Sequence, residues 1–238
     1  MGRAFEKRKH KMYARFAKMA KTFTRIGKEV VIAVKAGGPN PDGNPRLRMV
    51  MQNAKAVNMP KDRIEAAINK ASNKDEKNFE ELVYEGYGPH GVALLIETAT
   101  DNPTRTVANI RLYFNRGNGS MGKTGSLDFI FDRKGIFHIS SEGVNHEELE
   151  LELIDFGAED VTLEEDGIYI YTPFTAFGGM QKALEEKKLN IISAELDRIP
   201  ASYVDVNEAQ RKEIMDLIDK FEEDDDVQNV FHNMKEEE

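Results

Sequence analysis

IFHISSEGVNHEELELELIDFGAEDVTLEEDGIYIYTPFTAFGGMQKALEEKKLNIISAEL, residues 136–196, is the stretch whose periodicity decides the fold. It reads in turn as strand (IFHIS), helix (about 146–157), strand (EDVTLEE), strand (GIYIYT), helix (about 174–187) and strand (NIISAEL). A β-α-β-β-α-β order predicts a ferredoxin-like unit with its helices on one sheet face. The stretch holds 3 Lys+Arg against 14 Asp+Glu, a net of −11, so it repels phosphate.

The flanks read as a second unit of the same kind. Upstream, VYEGYGPHG (83–91) is expected as a glycine-rich turn and VALLIETAT (92–100) as a strand with a nearly continuous apolar core. Asp101-Asn102-Pro103-Thr104 can cap a helix over roughly 104–115, and LDFIF (127–131) is expected as a strand. Downstream come a strand at ASYVDV (201–206), a helix at about 207–222 and a short strand in VQNVFHN. The fold class is therefore α+β, with 136–196 inserted into a domain made of 79–135 plus 197–238.

Ahead of these lies residues 1–78, expected as a basic three-helix domain. Phe16, Met19, Phe23, Ile26 and Val30 form one apolar stripe at helical spacing. AGGPNPDGNP (36–45) is a loop by its turn chemistry, and Asn44 is placed to cap a second helix with Pro45 at its first position. That helix turns Leu47, Val50, Met51 and Ala54 inward and stops near Asn58-Met59. Pro60 opens a third, with Ile64, Ala67, Ile68 and Ala71 inward, and 74–78 reads as a linker.

Charge divides the chain sharply. Residues 1–78 hold 19 Lys+Arg against 7 Asp+Glu, a net of +12, while the remaining 160 carry −21. In the first 35 residues eleven cations meet only Glu6 and Glu29, whereas a solvated helix usually mixes signs. A polyanion partner is implied, with Lys7, Arg8, Lys9, Lys11, Arg15, Lys18, Lys21, Arg25 and Lys28 on the phosphates. Arg46, Arg48, Lys61 and Arg63 add to this surface from the second and third helices. Arg105, Arg116 and Lys123 form a secondary contact region, the first two on one side of their helix.

Other chemistry is thin. There is no cysteine, and the five histidines lack metal-ligand spacing, so no metal, cofactor or catalytic residue is expected. Gly117 to Thr124, GNGSMGKT, matches a phosphate-loop string, but a helix precedes it and LDFIF follows it. The nucleotide-binding mechanism needs the reverse order. The acidic runs Glu164-Glu165-Asp166 and Asp224-Asp225-Asp226 read as solvated turns. Tyr84 and Tyr87 could stack on a base or pack against the head. No apolar run approaches the roughly 20 residues of a membrane span, and a cytoplasmic protein without a small-molecule substrate is expected. The basic helix is read as part of a folded domain, not as a targeting presequence.

Several stretches together resemble the YebC/PmpR family, which includes a mitochondrial translational activator of cytochrome oxidase. They are KTFTRIGKEV, GGPNPDGNPRLR, NMPKDRIEAAI, YEGYGPHGVALLIE, TDNPTRTVANIR and the run from Gly119 to Phe131, followed by FTAFGGMQKALEEK. The chain departs at its start, where most members carry a Gly-His-Ser-Lys-Trp segment and this one has MGRAFEKRK. The resemblance implies a three-domain α/β molecule and a cytoplasmic regulator, DNA-binding and transcriptional, and the residues themselves place no nucleophile and base together, so a non-enzyme is expected. It leaves open a ribosome-associated translation factor that contacts ribosomal RNA, because a cationic helix suits either phosphate backbone.

Overall fold

The computed structural model describes residues 2–73 and 78–235, with the side chains of the first helix described from residue 19 onward. The chain opens with α1 (Gly2–Gly37), α2 (Pro45–Ala56) and α3 (Lys61–Ala71). Ile26, Val30, Val31 and Val34 of α1 pack on Leu47, Val50 and Ala54 of α2 and on Ile64 and Ala71 of α3. The turn into α2 is built by Asn44, which is buried. Its side-chain oxygen accepts from the Leu47 N–H at 3.1 Å, and its amide donates to the carbonyls of Ala33 (2.7 Å) and Gly38 (2.8 Å). One side chain thus caps α2 and satisfies the frayed end of α1.

The first sheet runs, from one edge to the other, through Ser120–Met121, Glu80–Tyr87, Ala93–Thr100 and Val227–His232, all neighbours antiparallel. Its strands are β1 (Glu80–Tyr87), β2 (Ala93–Thr100), β3 (Ser120–Met121) and β8 (Val227–His232). α4 (Pro103–Arg116) and α7 (Glu208–Glu223) cover one face, where Ile110, Phe114, Ile214, Leu217 and Phe221 meet Leu94 and Ile96. The opposite face, through Ala93 and Leu95, is covered by Leu127, Ile130 and Phe131. Both faces of β2 are buried, which is why VALLIETAT is apolar almost throughout.

Three expectations are corrected in this sheet. VYEGY belongs to strand β1, paired with β2 from Glu80↔Thr100 to Tyr87↔Ala93, and is not a turn. Gly86 sits there because a Cβ would lie 2.5 Å from the Ser120 carbonyl and 2.7 Å from the Phe114 ring. LDFIF is a turn up to Ile130, not a strand, because the Leu127 N–H is held by the buried Glu85 carboxylate (2.7 Å) and the Ile130 N–H closes on the Leu127 carbonyl (2.8 Å). ASYVDV pairs only through a single bridge between Val204 and Met234. The element order of this unit is therefore β-β-α-β before the second sheet and α-β after it, with the β1–β2 hairpin at the sheet centre.

The second sheet has order β5-β6-β4-β7, from β4 (Phe131–Ile139), β5 (Asp160–Glu164), β6 (Gly167–Pro173) and β7 (Ile191–Pro200). With α5 (His146–Ile154) and α6 (Phe177–Glu186) it gives the β-α-β-β-α-β order and antiparallel pairing of a ferredoxin-like unit. Its core joins Phe137 and Ile139 to Leu149, Leu153, Met180 and Leu184. The β7 edge is closed by α2. The Asn53 amide donates to the Ala194 carbonyl (2.8 Å), and its oxygen accepts from the Ala194 N–H (3.0 Å). The whole is α+β, a helical head followed by two four-stranded antiparallel sheets.

Gly86→Ala forces a methyl group against backbone and a fully buried ring. It is expected to lower unfolding free energy by about 1–3 kcal/mol, measured by urea denaturation. A change within about 0.5 kcal/mol, the range of surface substitutions, would contradict this packing.

Candidate nucleic-acid interface

The cations expected on phosphate separate into three groups. Lys7, Arg8, Lys9, Lys11, Arg15 and Lys18 lie on α1, but their side chains fall outside the described residues. Phe23 is the first described α1 residue packed into the head core.

The second group faces the protein itself. Lys28 donates to the carbonyls of Asp225 (2.7 Å) and Ala99 (2.8 Å) and to Asp226 Oδ1 (3.2 Å). An ammonium has three protons, and all three are taken. Its side chain is only 12% exposed, so Lys28 has nothing left to offer a phosphate. One turn and two turns earlier, Arg25 and Lys21 both donate to the Glu222 carbonyl, at 3.3 and 3.2 Å. That carbonyl belongs to the last turn of α7, the negative end of a helix dipole. Arg46 forks onto Glu81 with both terminal guanidinium nitrogens. Arg48 forks onto Glu185 (3.1 and 3.0 Å) and also donates to the carbonyls of Pro41 and Asp42.

The third group faces outward. Lys61 has an 87% exposed side chain and, among the described residues, only an i, i+4 partner, Glu65. Such a surface pair is worth under about 1 kcal/mol. Arg63 is exposed, its guanidinium 5.7 Å from the Phe23 ring. Arg116 and Lys123 are exposed too, and Arg105, its side chain 47% exposed, differs from them in being paired with Asp226 (2.6 Å) and Asp101 (3.0 Å). The structure therefore separates Arg105 from the other two secondary cations. Tyr84 is buried in the core and Tyr87 lies at the surface.

Asp226 corrects the reading of Asp224–Asp226 as a solvated turn. It is 5% exposed and accepts from Arg105, Thr106 (2.9 Å), Thr100 (3.1 Å) and Lys28. Burial alone would raise its pKa. The hydrogen bonds from Arg105, Thr106 and Lys28 outweigh that and hold the carboxyl below its usual value. This carboxylate ties α1 to β2, α4 and the α7–β8 turn. Breaking such a buried pair by removing one partner typically costs about 3–5 kcal/mol. No sequence periodicity marks it. The only signal was the run of Thr100, Arg105 and Thr106 around the α4 cap.

The glycine-rich loop is also used internally. The N–H groups of Gly125 (2.8 Å) and Leu127, which a phosphate loop would aim at a nucleotide, donate to Glu85. Gly119 and Gly117 leave room for the Tyr87 carbonyl and for Leu217.

Residues 3–74 match the family described as the TACO1/YebC protein N-terminal domain, and residues 79–234 match the TACO1/YebC second and third domain. The chain belongs to the TACO1/YebC family. A Flavobacterium johnsoniae protein named "Probable transcriptional regulatory protein" is 60% identical over 237 residues, all of both chains. Proteins of the same name from Cytophaga hutchinsonii and Porphyromonas gingivalis are 57% and 52% identical, each matched over 99% of its length, against 99% and 100% of this chain. Among solved structures, a conserved hypothetical protein of Aquifex aeolicus aligns with a TM-score of 0.76 at 37% identity, covering 93% of each chain.

Glu29 is the one acid among the described side chains of α1, and its pKa is pushed up to about 7. Burial is the main cause, Glu81 and Glu97 add to it, and Arg46 and Arg25 oppose it. A carboxyl raised on folding stabilises the protein while it stays protonated. That contribution is present below the unfolded value near 4.3 and is lost as pH rises through 7. Glu29→Gln should therefore match the parent's melting temperature near pH 4.5 and exceed it increasingly up to pH 8. A difference independent of pH would show that Glu29 titrates normally.

Proposed function

We propose that the protein is a non-enzymatic, DNA-binding regulator of transcription that holds duplex DNA through its phosphates. The observation that carries this reading is the +12 surplus of residues 1–78, set against a remainder of −21. In this reading Lys7, Arg8, Lys9, Lys11, Arg15 and Lys18 make the main phosphate contacts. Lys61 and Arg63, exposed at the start of α3, extend that surface, and Arg116 and Lys123 give a second, weaker one. Lys21 and Arg25 stand at its inner margin, while Lys28, Arg46, Arg48 and Arg105 hold the molecule together. The name shared by relatives of 52–60% identity supports regulation as the role.

Phosphate contact carries a thermodynamic signature. Each neutralised phosphate releases counterions and adds about −0.9 to the slope of log affinity against log salt. Fluorescence anisotropy on a labelled duplex should give a steep negative slope. Charge reversal of Arg15, Lys18 and Lys61 should flatten it by about 3. A flat response in the parent protein would remove the proposal. Sequencing of nucleic acid crosslinked to the protein in cells should return DNA, and ribosomal RNA without DNA would replace transcription with translation.

A further inference from the structure

Where the head meets both sheets there is a cleft of about 730 Å³, a size typical of sites for small organic ligands. Glu29 of α1 and Arg46 of α2 line it from the head. Glu81 of β1, Glu97 of β2 and Gln228 of β8 line it from the first sheet, and Arg133, Glu195, Asp197 and Arg198 from the second.

The charges of this cleft do not balance. Arg46 is already paired with Glu81, and Arg198 donates to Glu97 at 3.2 Å. Glu29, Glu195 and Asp197 are then left with one guanidinium, that of Arg133, which lies 3.8 Å from the centre of the Phe174 ring. Between the charges the wall is apolar, with Ile32, Met49, Leu82, Phe177 and Phe231. The Gln228 amide, on a residue 8% exposed, has a partner for neither its oxygen nor its nitrogen among the described residues. The described residues contain no cluster of three or more potential metal ligands, so the acids are spread out rather than converging on one point. Spread carboxylates on apolar walls suit a cation that is itself extended and partly apolar.

We propose that this cleft binds a small organic cation, a protonated amine or guanidinium on an aliphatic body, which pairs with Glu29 and bridges the head to both sheets. The aliphatic part lies on Met49, Phe177 and Phe231, and the cationic end supplies the charge that Glu29, Glu195 and Asp197 lack. Burial in this cleft is the main cause of the raised pKa of Glu29, with Glu81 and Glu97 adding to it against Arg46 and Arg25. Cation binding is then linked to ionisation of that carboxyl.

The test uses the full chain with putrescine and agmatine as probes, and butane-1,4-diol as the uncharged counterpart of putrescine, by titration calorimetry near physiological salt. A carboxyl with a pKa of about 7 is roughly one-tenth ionised at pH 6 and nine-tenths at pH 8. Affinity for the amines should therefore tighten by about tenfold between those pH values, and the diol should not bind. Glu29→Gln, verified as folded by circular dichroism, should bind the amines weakly and with a much smaller pH dependence, the remainder coming from Glu195, whose pKa burial and Asp197 also raise. Gln228→Leu should weaken them while keeping the pH dependence. No amine binding, equal binding of the diol, or amine binding unchanged in Glu29→Gln would overturn the proposal. The last result would mean that the cations sit elsewhere on an acidic surface.

Discussion

Asp226 is a carboxylate sealed from water at the point where the chain's first helix meets its last strand, and the arrangement of the molecule depends on it. An isolated charge at that depth would cost several kcal/mol. It survives because Lys28 of α1, Thr100 of β2 and the adjacent Arg105 and Thr106 of α4 all reach it. Lys28 and Asp226 are 198 residues apart. Their pairing fixes the position of α1 and so the direction in which its basic leading half points. Lys21 and Arg25, both on the Glu222 carbonyl in the last turn of α7, extend the same seam.

The seam changes how the charge map is understood. Counting residues sets a basic head against an acidic body, and the body was expected to stay clear of the phosphates. The structure shows head and body in contact. Arg46 on Glu81, Arg48 on Glu185 and Lys28 on Asp226 use part of the head's positive charge to join it to the body. The body's negative charge is thus partly a docking surface for its own head. Among the described side chains proposed for phosphate, Lys61, Arg63, Arg116 and Lys123 are exposed and take no part in this seam.

Much of the fold was legible in the sequence because its signals are local. Asn44-Pro45 and Asn102-Pro103 cap α2 and α4 as their chemistry requires. Asn207 with Gln210 forms a capping box at the start of α7. The alternation in residues 136–196 gave the second sheet element by element. Failures came where a long-range contact overrides a local pattern. The glycine in VYEGY suggested a turn, but its lack of a Cβ serves close packing inside a strand. LDFIF looks like a strand, yet Glu85, 42 residues away from Leu127, folds it into a turn that covers β2. In the candidate site, the sign and location of the basic surplus were readable from residue counts. Which cations are consumed internally was not, because Asp226 sits in an acidic run that looks identical to a solvated one.

The central proposal is that Lys28 is a structural lysine while Lys61 and the lysines at the start of α1 meet phosphate. Lysine acetylation kinetics followed by mass spectrometry, with and without duplex DNA, test it residue by residue. Lys28 should react slowly in the free protein and be unchanged by DNA. Lys7, Lys9, Lys11, Lys18 and Lys61 should react fast when free and be protected when DNA is bound. Rapid acetylation of Lys28 in the free protein, or protection by DNA at Lys28 and not at those lysines, would contradict the account.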